Sequence, residues 1–134
     1  WAPTKMAWST DNRTAGFRIV GSGKSFRIEN RMPGADANPY LAFAAMLAAG
    51  AAGIQEDLDC GPEYRGNAYV DPQLKALPKT LAEAAELFAA SQIARAKFGD
   101  SVVEFYAHAA RLEVKAYNAA VTDWERKMYL EYLP

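Results

Sequence analysis

One cysteine and one histidine are all that these 134 residues contain of the side chains most used in disulfides, nucleophilic thiols and transition-metal centres. A lone Cys60 excludes an intrachain disulfide, and its loop setting gives no sign of thiol chemistry, in keeping with a reducing cytoplasm. His108 falls within Glu104-Phe105-Tyr106-Ala107-His108-Ala109, a helical stretch far along the chain from any candidate ligand, and reads as an ordinary helix histidine. There is no basic surplus either: 15 Lys and Arg stand against 16 Asp and Glu, for a net charge of −1, which argues against a nucleic-acid binder. Tyr40 to Ile54 carries no charge, yet its 15 residues fall short of the roughly 20 needed to cross a bilayer, so no membrane span is expected. Internal repeats, low-complexity tracts and flexible linkers are absent. Nothing in the sequence divides the chain into domains.

What is present is an uneven distribution of charge. From Arg13 to Arg31 five positive side chains (Arg13, Arg18, Lys24, Arg27 and Arg31) oppose a single carboxylate, Glu29. Phe17 to Val20 and Phe26 to Met32 are short β-compatible runs, and Gly21-Ser22-Gly23 between them supplies turn freedom, which predicts a β-hairpin. Alternation along the second strand sets Arg27, Glu29 and Arg31 on one face, with Ile28 and Asn30 on the other. Successive guanidiniums, about 7 Å apart at the strand rise, repel, and Glu29 offsets part of that repulsion. Taken alone, such a row is a solvated set of ion pairs worth under about 1 kcal/mol each. Arg13, Arg18 and Lys24 converge on the same hairpin from other segments, however, and arginine's planar fork suits phosphate and carboxylate oxygens. An anion is expected to bind there.

These residues also carry a resemblance. Asn12-Arg13-Thr14-Ala15 with Arg18-Ile19, then Lys24, Arg27, Glu29, Arg31 and Pro33, then Ala37-Asn38-Pro39-Tyr40-Leu41-Ala42, closely resemble the C-terminal part of the catalytic domain of glutamine synthetase family enzymes. The spacing within and between the blocks matches. It continues less distinctively through Asn67-Ala68-Tyr69, Leu77-Pro78, Leu81-Ala82-Glu83-Ala84 and Thr122-Asp123-Trp124-Glu125, covering essentially the whole chain.

The resemblance implies an ATP-dependent ligase that joins glutamate to ammonia or a primary amine through γ-glutamyl phosphate. Glu29 matches a ligand of the divalent ion, Mg²⁺ or Mn²⁺, that bridges the ATP phosphates. Arg18, Lys24 and Arg27 match residues along those phosphates. Arg13 matches a catalytic residue that stabilises the phosphoryl group in flight, and Arg31 one that holds the glutamate γ-carboxylate. The other metal ligands of the family lie upstream of the matched region. The chain is therefore expected to be a C-terminal portion, residues 1–134, of the catalytic domain, inactive by itself. Trp1-Ala2-Pro3-Thr4 resembles the domain interior, and Tyr129 to Pro134 a natural C-terminus. By the same resemblance the active assembly is a homo-oligomer, a dodecamer of two hexameric rings completed between subunits. Asp11-Asn12-Arg13-Thr14, preceded by Trp8, looks more like the branch ligating glutamate to putrescine or other amines than like ammonia-using enzymes with Arg-Asn-Arg-Ser. A non-catalytic structural or binding member of the family is the alternative of another class. Tyr69 occupies the relative place of an adenylylated tyrosine, but Asn67-Ala68-Tyr69-Val70-Asp71-Pro72 departs from the regulated pattern, and it reads as a packing residue.

The predicted architecture is α+β, the hairpin followed by a mainly helical C-terminal half. Asn38-Pro39 starts the alanine-rich helix, expected to be buried and to back the arginine-bearing strand. Gln55 to Gln73 reads as a long loop. Thr80-Leu81-Ala82-Glu83 and Ser101-Val102-Val103-Glu104 are read as capping boxes, the first opening a helix to about Ala94 and the second one to about Ala120; Thr122-Asp123-Trp124-Glu125 opens a short last helix. Released from a larger parent, the chain would expose apolar surface from Trp1, Trp8 and the alanine-rich helix.

Overall fold

Aromatic and β-branched side chains at Phe17, Ile19 and Val20 favour extended backbone, and the computed structural model has a strand there, β2 (Phe17–Val20), paired antiparallel with β3 (Arg27–Asn30). The structure describes residues 2–130 and 132. The predicted hairpin is thus present, with its second strand shorter than the run from Phe26 to Met32. Gly21 turns the chain at φ +81, and a single 3-10 turn over Gly23–Ser25 follows, closed by Ser25 N donating to Ser22 O at 3.0 Å and Ser22 N donating to Ser25 Oγ at 3.1 Å. A third strand, β1 (Trp8–Thr10), runs parallel to β2 and makes the sheet order β1-β2-β3. Three residues are too few for alternation to announce a strand, and β1 was not predicted.

The register fixes the site. Arg18 stands opposite Glu29 on β3 and opposite Ser9 on β1, while Val20 stands opposite Arg27. Opposed residues share a face, so the sheet carries Ser9, Arg18 and Glu29 together. Ser9 and Val20 are buried on it.

α1 (Pro39–Gln55) begins as predicted, with Asn38 Oδ1 accepting from Tyr40 N at 3.0 Å and Pro39 in the first turn. Its expected burial is not found. Ala52 alone is buried, whereas Tyr40, Phe43, Leu47 and Ile54 are exposed. A helix apolar around its whole circumference needs neighbours on every side, and the described residues supply too few. The loop predicted from Gln55 to Gln73 begins after Gln55, which is the last residue of α1, and no helix or strand forms from Glu56 to Thr80 beyond an isolated bridge between Lys5 and Ala76. Trp8 is half-buried rather than exposed, its indole N–H donating to Gly61 O at 3.1 Å. Trp1, Glu131, Leu133 and Pro134, which entered the expectations about both ends and about exposed apolar surface, lie outside the described residues.

The chain divides into two compact units, Trp1–Pro78 with the sheet and α1, and Lys79–Pro134. The second is helical. Thr80 Oγ1 accepts from Glu83 N at 3.2 Å to start α2 (Leu81–Ala89), and Glu83 turns its carboxylate to Lys79 N at 2.8 Å. The expected run to Ala94 breaks early because Ser91 caps a new helix, α3 (Gln92–Phe98), by accepting from Ala94 N at 3.2 Å. Gly99, at φ +83, then ends α3 and directly opens α4 (Asp100–Ala119), so Ser101 lies inside the helix and the predicted capping box there is not formed. α5 (Asp123–Tyr129) is the predicted short last helix, and it opens on a capping box in which Thr122 N donates to Glu125 Oε2 at 2.6 Å. Ala85 of α2 with Val103 and Ala107 of α4 are buried, small side chains that let helices approach closely, and the Arg111 fork grips Glu86 at 2.8 and 3.0 Å.

Gly21 offers a test. A Cβ there would sit 2.7 Å from the Ser25 carbonyl carbon on a backbone already at positive φ, so Gly21→Ala is expected to destabilise the protein by about 2 kcal/mol or more, read as a lower urea midpoint.

Candidate active site

Glu29 and two guanidiniums form the centre of the basic face. Arg18, whose side chain is only 14% exposed, donates from Nη1 to Glu29 Oε2 at 3.2 Å, and Arg31 Nε lies 3.8 Å from the same oxygen. Both arginines therefore address Oε2, leaving Oε1 of a 39%-exposed carboxylate outside these pairs. Arg18 Nη2 forms a second ion pair with Asp11, an acid that sequence reading left out of the site. Asp11 holds the Arg18 guanidinium above its usual value, Glu29 adding in the same direction against desolvation. Arg18 Nε is buried with no hydrogen-bond partner among the described residues.

Arg31 joins the strand to the turn. Its Nη1 donates to the carbonyl of Arg13 and, at 3.3 Å, to that of Ala15, while its own backbone N donates to Gly16 O at 2.9 Å. The Arg13 backbone is thus tied to β3, with the Arg13 side chain exposed. Lys24 and Arg27 lie at the hairpin end, both exposed; Arg27 Nη1 donates to Ser25 O at 3.2 Å. Of the six candidate residues, Arg18, Glu29 and Arg31 are joined by side-chain contacts and Arg13 by its backbone. Lys24 and Arg27 are not drawn into that cluster.

The turn bearing Arg13 is held from beneath by a loop that the motifs did not reveal. Asn12 Oδ1 accepts from Thr14 N at 2.9 Å and from Thr14 Oγ1 at 2.7 Å, fixing the turn. Asn12 Nδ2 then donates to Gly66 O at 2.9 Å, and Ala68 N donates to Thr14 Oγ1 at 3.0 Å. Glu63 Oε1 accepts from Thr10 N at 2.8 Å, and Tyr64 N donates to Trp8 O at 3.0 Å. Residues 61–68 are strapped along β1 and the turn by these bonds. These bonds call for short polar side chains that both donate and accept at Asn12 and Thr14, two residues that the sequence marked only through the motif they belong to.

Tyr69 follows the strap with its hydroxyl buried and unpaired among the described residues, consistent with packing and with poor access for a modifying enzyme. His108 is exposed on α4, and Cys60 is exposed in the loop. Among the described residues no group of three or more His, Cys, Asp and Glu could hold a metal ion. Glu29 can contribute one oxygen to a hard divalent ion, whose six or more ligands must then come largely from substrate, water and other protein groups.

Comparison with known proteins identifies the same region. Residues 1–129 match the glutamine synthetase catalytic domain. The gamma-glutamylethanolamide synthetase of Streptomyces coelicolor is 50% identical over 131 residues, covering 98% of this chain and 28% of that protein. Glutamate–isopropylamine ligase of a Pseudomonas species is 43% identical over 136 residues, covering 99% of this chain and 30% of that protein. A solved GmaS–ADP complex superposes with a TM-score of 0.85 at 33% identity, over 98% of this chain and 30% of the other. The chain thus spans under a third of the length of the relatives it matches.

The strap predicts a pH dependence. The Thr10 backbone N–H holds the Glu63 carboxyl below the usual glutamate range, so the stability it contributes is present above the unfolded value of about 4.3 and is lost as pH falls through the lower folded value. Glu63→Gln keeps an acceptor but does not titrate. Its urea midpoint is expected to fall less steeply than that of the unaltered protein between pH 5 and pH 3, both pH values being approximate bounds of the carboxylate range.

Proposed function

This chain belongs to the glutamine synthetase family, and we propose that the protein carrying it is an ATP-dependent ligase joining the γ-carboxylate of glutamate to a primary amine. In that proposal residues 1–134 are the C-terminal portion of the catalytic domain, with the remaining metal ligands and the acceptor site contributed by the rest of the protein. The observation that carries it is the Arg18–Glu29–Arg31 cluster, one carboxylate held between two guanidiniums on a single sheet face.

The chemistry runs in two steps. The γ-carboxylate attacks the terminal phosphate of ATP, breaking the bond to ADP and forming γ-glutamyl phosphate; the amine nitrogen then attacks the acyl carbon, expelling phosphate and losing a proton. A carboxylate is a poor acyl electrophile, and phosphorylation supplies the leaving group. Arg18, Lys24 and Arg27 bind the nucleotide phosphates, and Arg13 stabilises charge spread over the transferring group. Arg31 holds the glutamate carboxylate in line. Glu29, with its Oε1 outside the arginine pairs, ligates Mg²⁺ or Mn²⁺, which when bound neutralises phosphate charge.

Two observations favour an amine over ammonia as acceptor. Asp11-Asn12-Arg13-Thr14 preceded by Trp8 resembles the amine-ligating branch, and the two relatives described above bear the names of amine ligases. Ammonia is the second reading, and putrescine one candidate amine. We place the protein in the cytoplasm as a homo-oligomer, a dodecamer of two hexameric rings. Among the described residues no helix is long and apolar enough to cross a membrane.

Phosphate release by the whole protein with glutamate and ATP tests this, comparing ammonia with ethanolamine, isopropylamine and putrescine. Turnover with an amine at least about tenfold above ammonia is expected, a difference of roughly 1.4 kcal/mol in transition-state binding. Glu29→Ala should lower kcat by about 100-fold or more and weaken Mg·ATP binding. Unchanged Mg·ATP affinity in that variant would point instead to a scaffold.

A further inference from the structure

Arg18 is the most enclosed cation of the site, and two acids on different segments determine where its fork points. Glu29 on β3 takes Nη1 at 3.2 Å, and Asp11, in the connection between β1 and β2, takes Nη2. We infer that Asp11 is a positioning residue for nucleotide binding: its carboxylate holds the Arg18 guanidinium in the orientation that presents it to the ATP phosphates. This rests on the proposed ligase reading, in which Arg18 is a phosphate-binding residue.

Three observations carry the inference. With Nε buried and lacking an acceptor among the described residues, the direction of the guanidinium depends on its two outer nitrogens. Glu29 engages only one of them, so without Asp11 the fork is free to turn about that single bond. Asp11 is itself fixed: its backbone N donates to Ile19 O at 2.9 Å, and its φ of +50 lies in the left-handed region, where aspartate is among the few residues with a side chain that settle readily.

A carboxylate near a phosphate site also repels the ligand, and the sign of the net effect must be decided. The Asp11 side chain is 73% exposed, so its long-range field is screened by water and salt, while the hydrogen-bonded pair with Arg18 acts at contact. The positioning role requires orientation to outweigh repulsion, and the direction of the ATP KM change in an Asp11 variant reads which of them wins.

The variants follow from the backbone. Asp11→Gly removes the carboxylate without straining a positive φ, whereas alanine there would confound the result; Asp11→Asn keeps both the left-handed preference and an Oδ1 acceptor. In the whole protein, with phosphate release as the assay, Asp11→Gly is expected to raise the KM for ATP by about tenfold while the KM for glutamate stays within about twofold, the loss of one charge-assisted hydrogen bond. Asp11→Asn should restore most of the ATP affinity. Arg18→Ala serves as the reference and should weaken ATP at least as much. An ATP KM that is unchanged or lower in Asp11→Gly, or an Asp11→Asn variant as impaired as Asp11→Gly, overturns the positioning role while the ligase reading stands if Arg18→Ala is impaired. Unchanged ATP binding in Arg18→Ala would remove both.

Discussion

The pairing of Arg18 with Glu29 across the β2–β3 ladder is the constraint on which the site depends. Five cations on and beside one hairpin repel one another, and a single carboxylate offsets that repulsion only if it shares a face with the arginines it serves. Antiparallel register provides this. Slipping the strands by one residue would send Glu29, and Arg31 with it, to the face opposite Arg18 and leave Arg18 without that acceptor. The closed turn at Gly21 to Ser25 sets that register, which links a glycine well outside the chemistry to the geometry of the cluster.

The block Asp11-Asn12-Arg13-Thr14 combines two kinds of work in four successive residues. Asn12 and Thr14 turn inward and bind the backbone of the loop at Gly66 and Ala68, while Asp11 reaches Arg18 and the Arg13 backbone receives Arg31. Structural and chemical side chains alternate because a tight turn points neighbours in different directions. The long segment after α1 is accordingly a support: it is strapped along β1 and the turn by the bonds of Glu63, Tyr64, Gly66 and Ala68. A mobile connection would leave the Arg13 turn held only from the β3 side.

Exposure of Tyr40, Phe43, Leu47 and Ile54 on α1 takes on meaning beside the length of the relatives, of which this chain covers under a third. A helix apolar on all sides belongs to a larger interior than these residues can build. In the helical unit Lys79–Pro134, α2 and α4 meet through Ala85, Val103 and Ala107, while Leu81, Leu87, Phe105, Leu112 and Tyr117 are exposed there too.

The sequence by itself determined the class of fold, the hairpin, the start of α1 at Asn38-Pro39 and the membership of the family, because turn glycines, caps and motif spacing are local signals. It also marked the six charged candidates by type and spacing. It missed β1, the break at Ser91 and the true start of α4 at Gly99. Three residues are too short for a period, and a serine or glycine ends a helix only when its competing backbone geometry is realised. Only the tertiary structure decided which candidates meet: Arg18, Glu29 and Arg31 converge through strand register, Lys24 and Arg27 stay at the open end, and Asp11 enters through a positive φ that no pattern announced. Side-chain identity is written in the chain, but proximity between side chains is created by pairing, and pairing depends on backbone hydrogen bonds and register rather than on side-chain type.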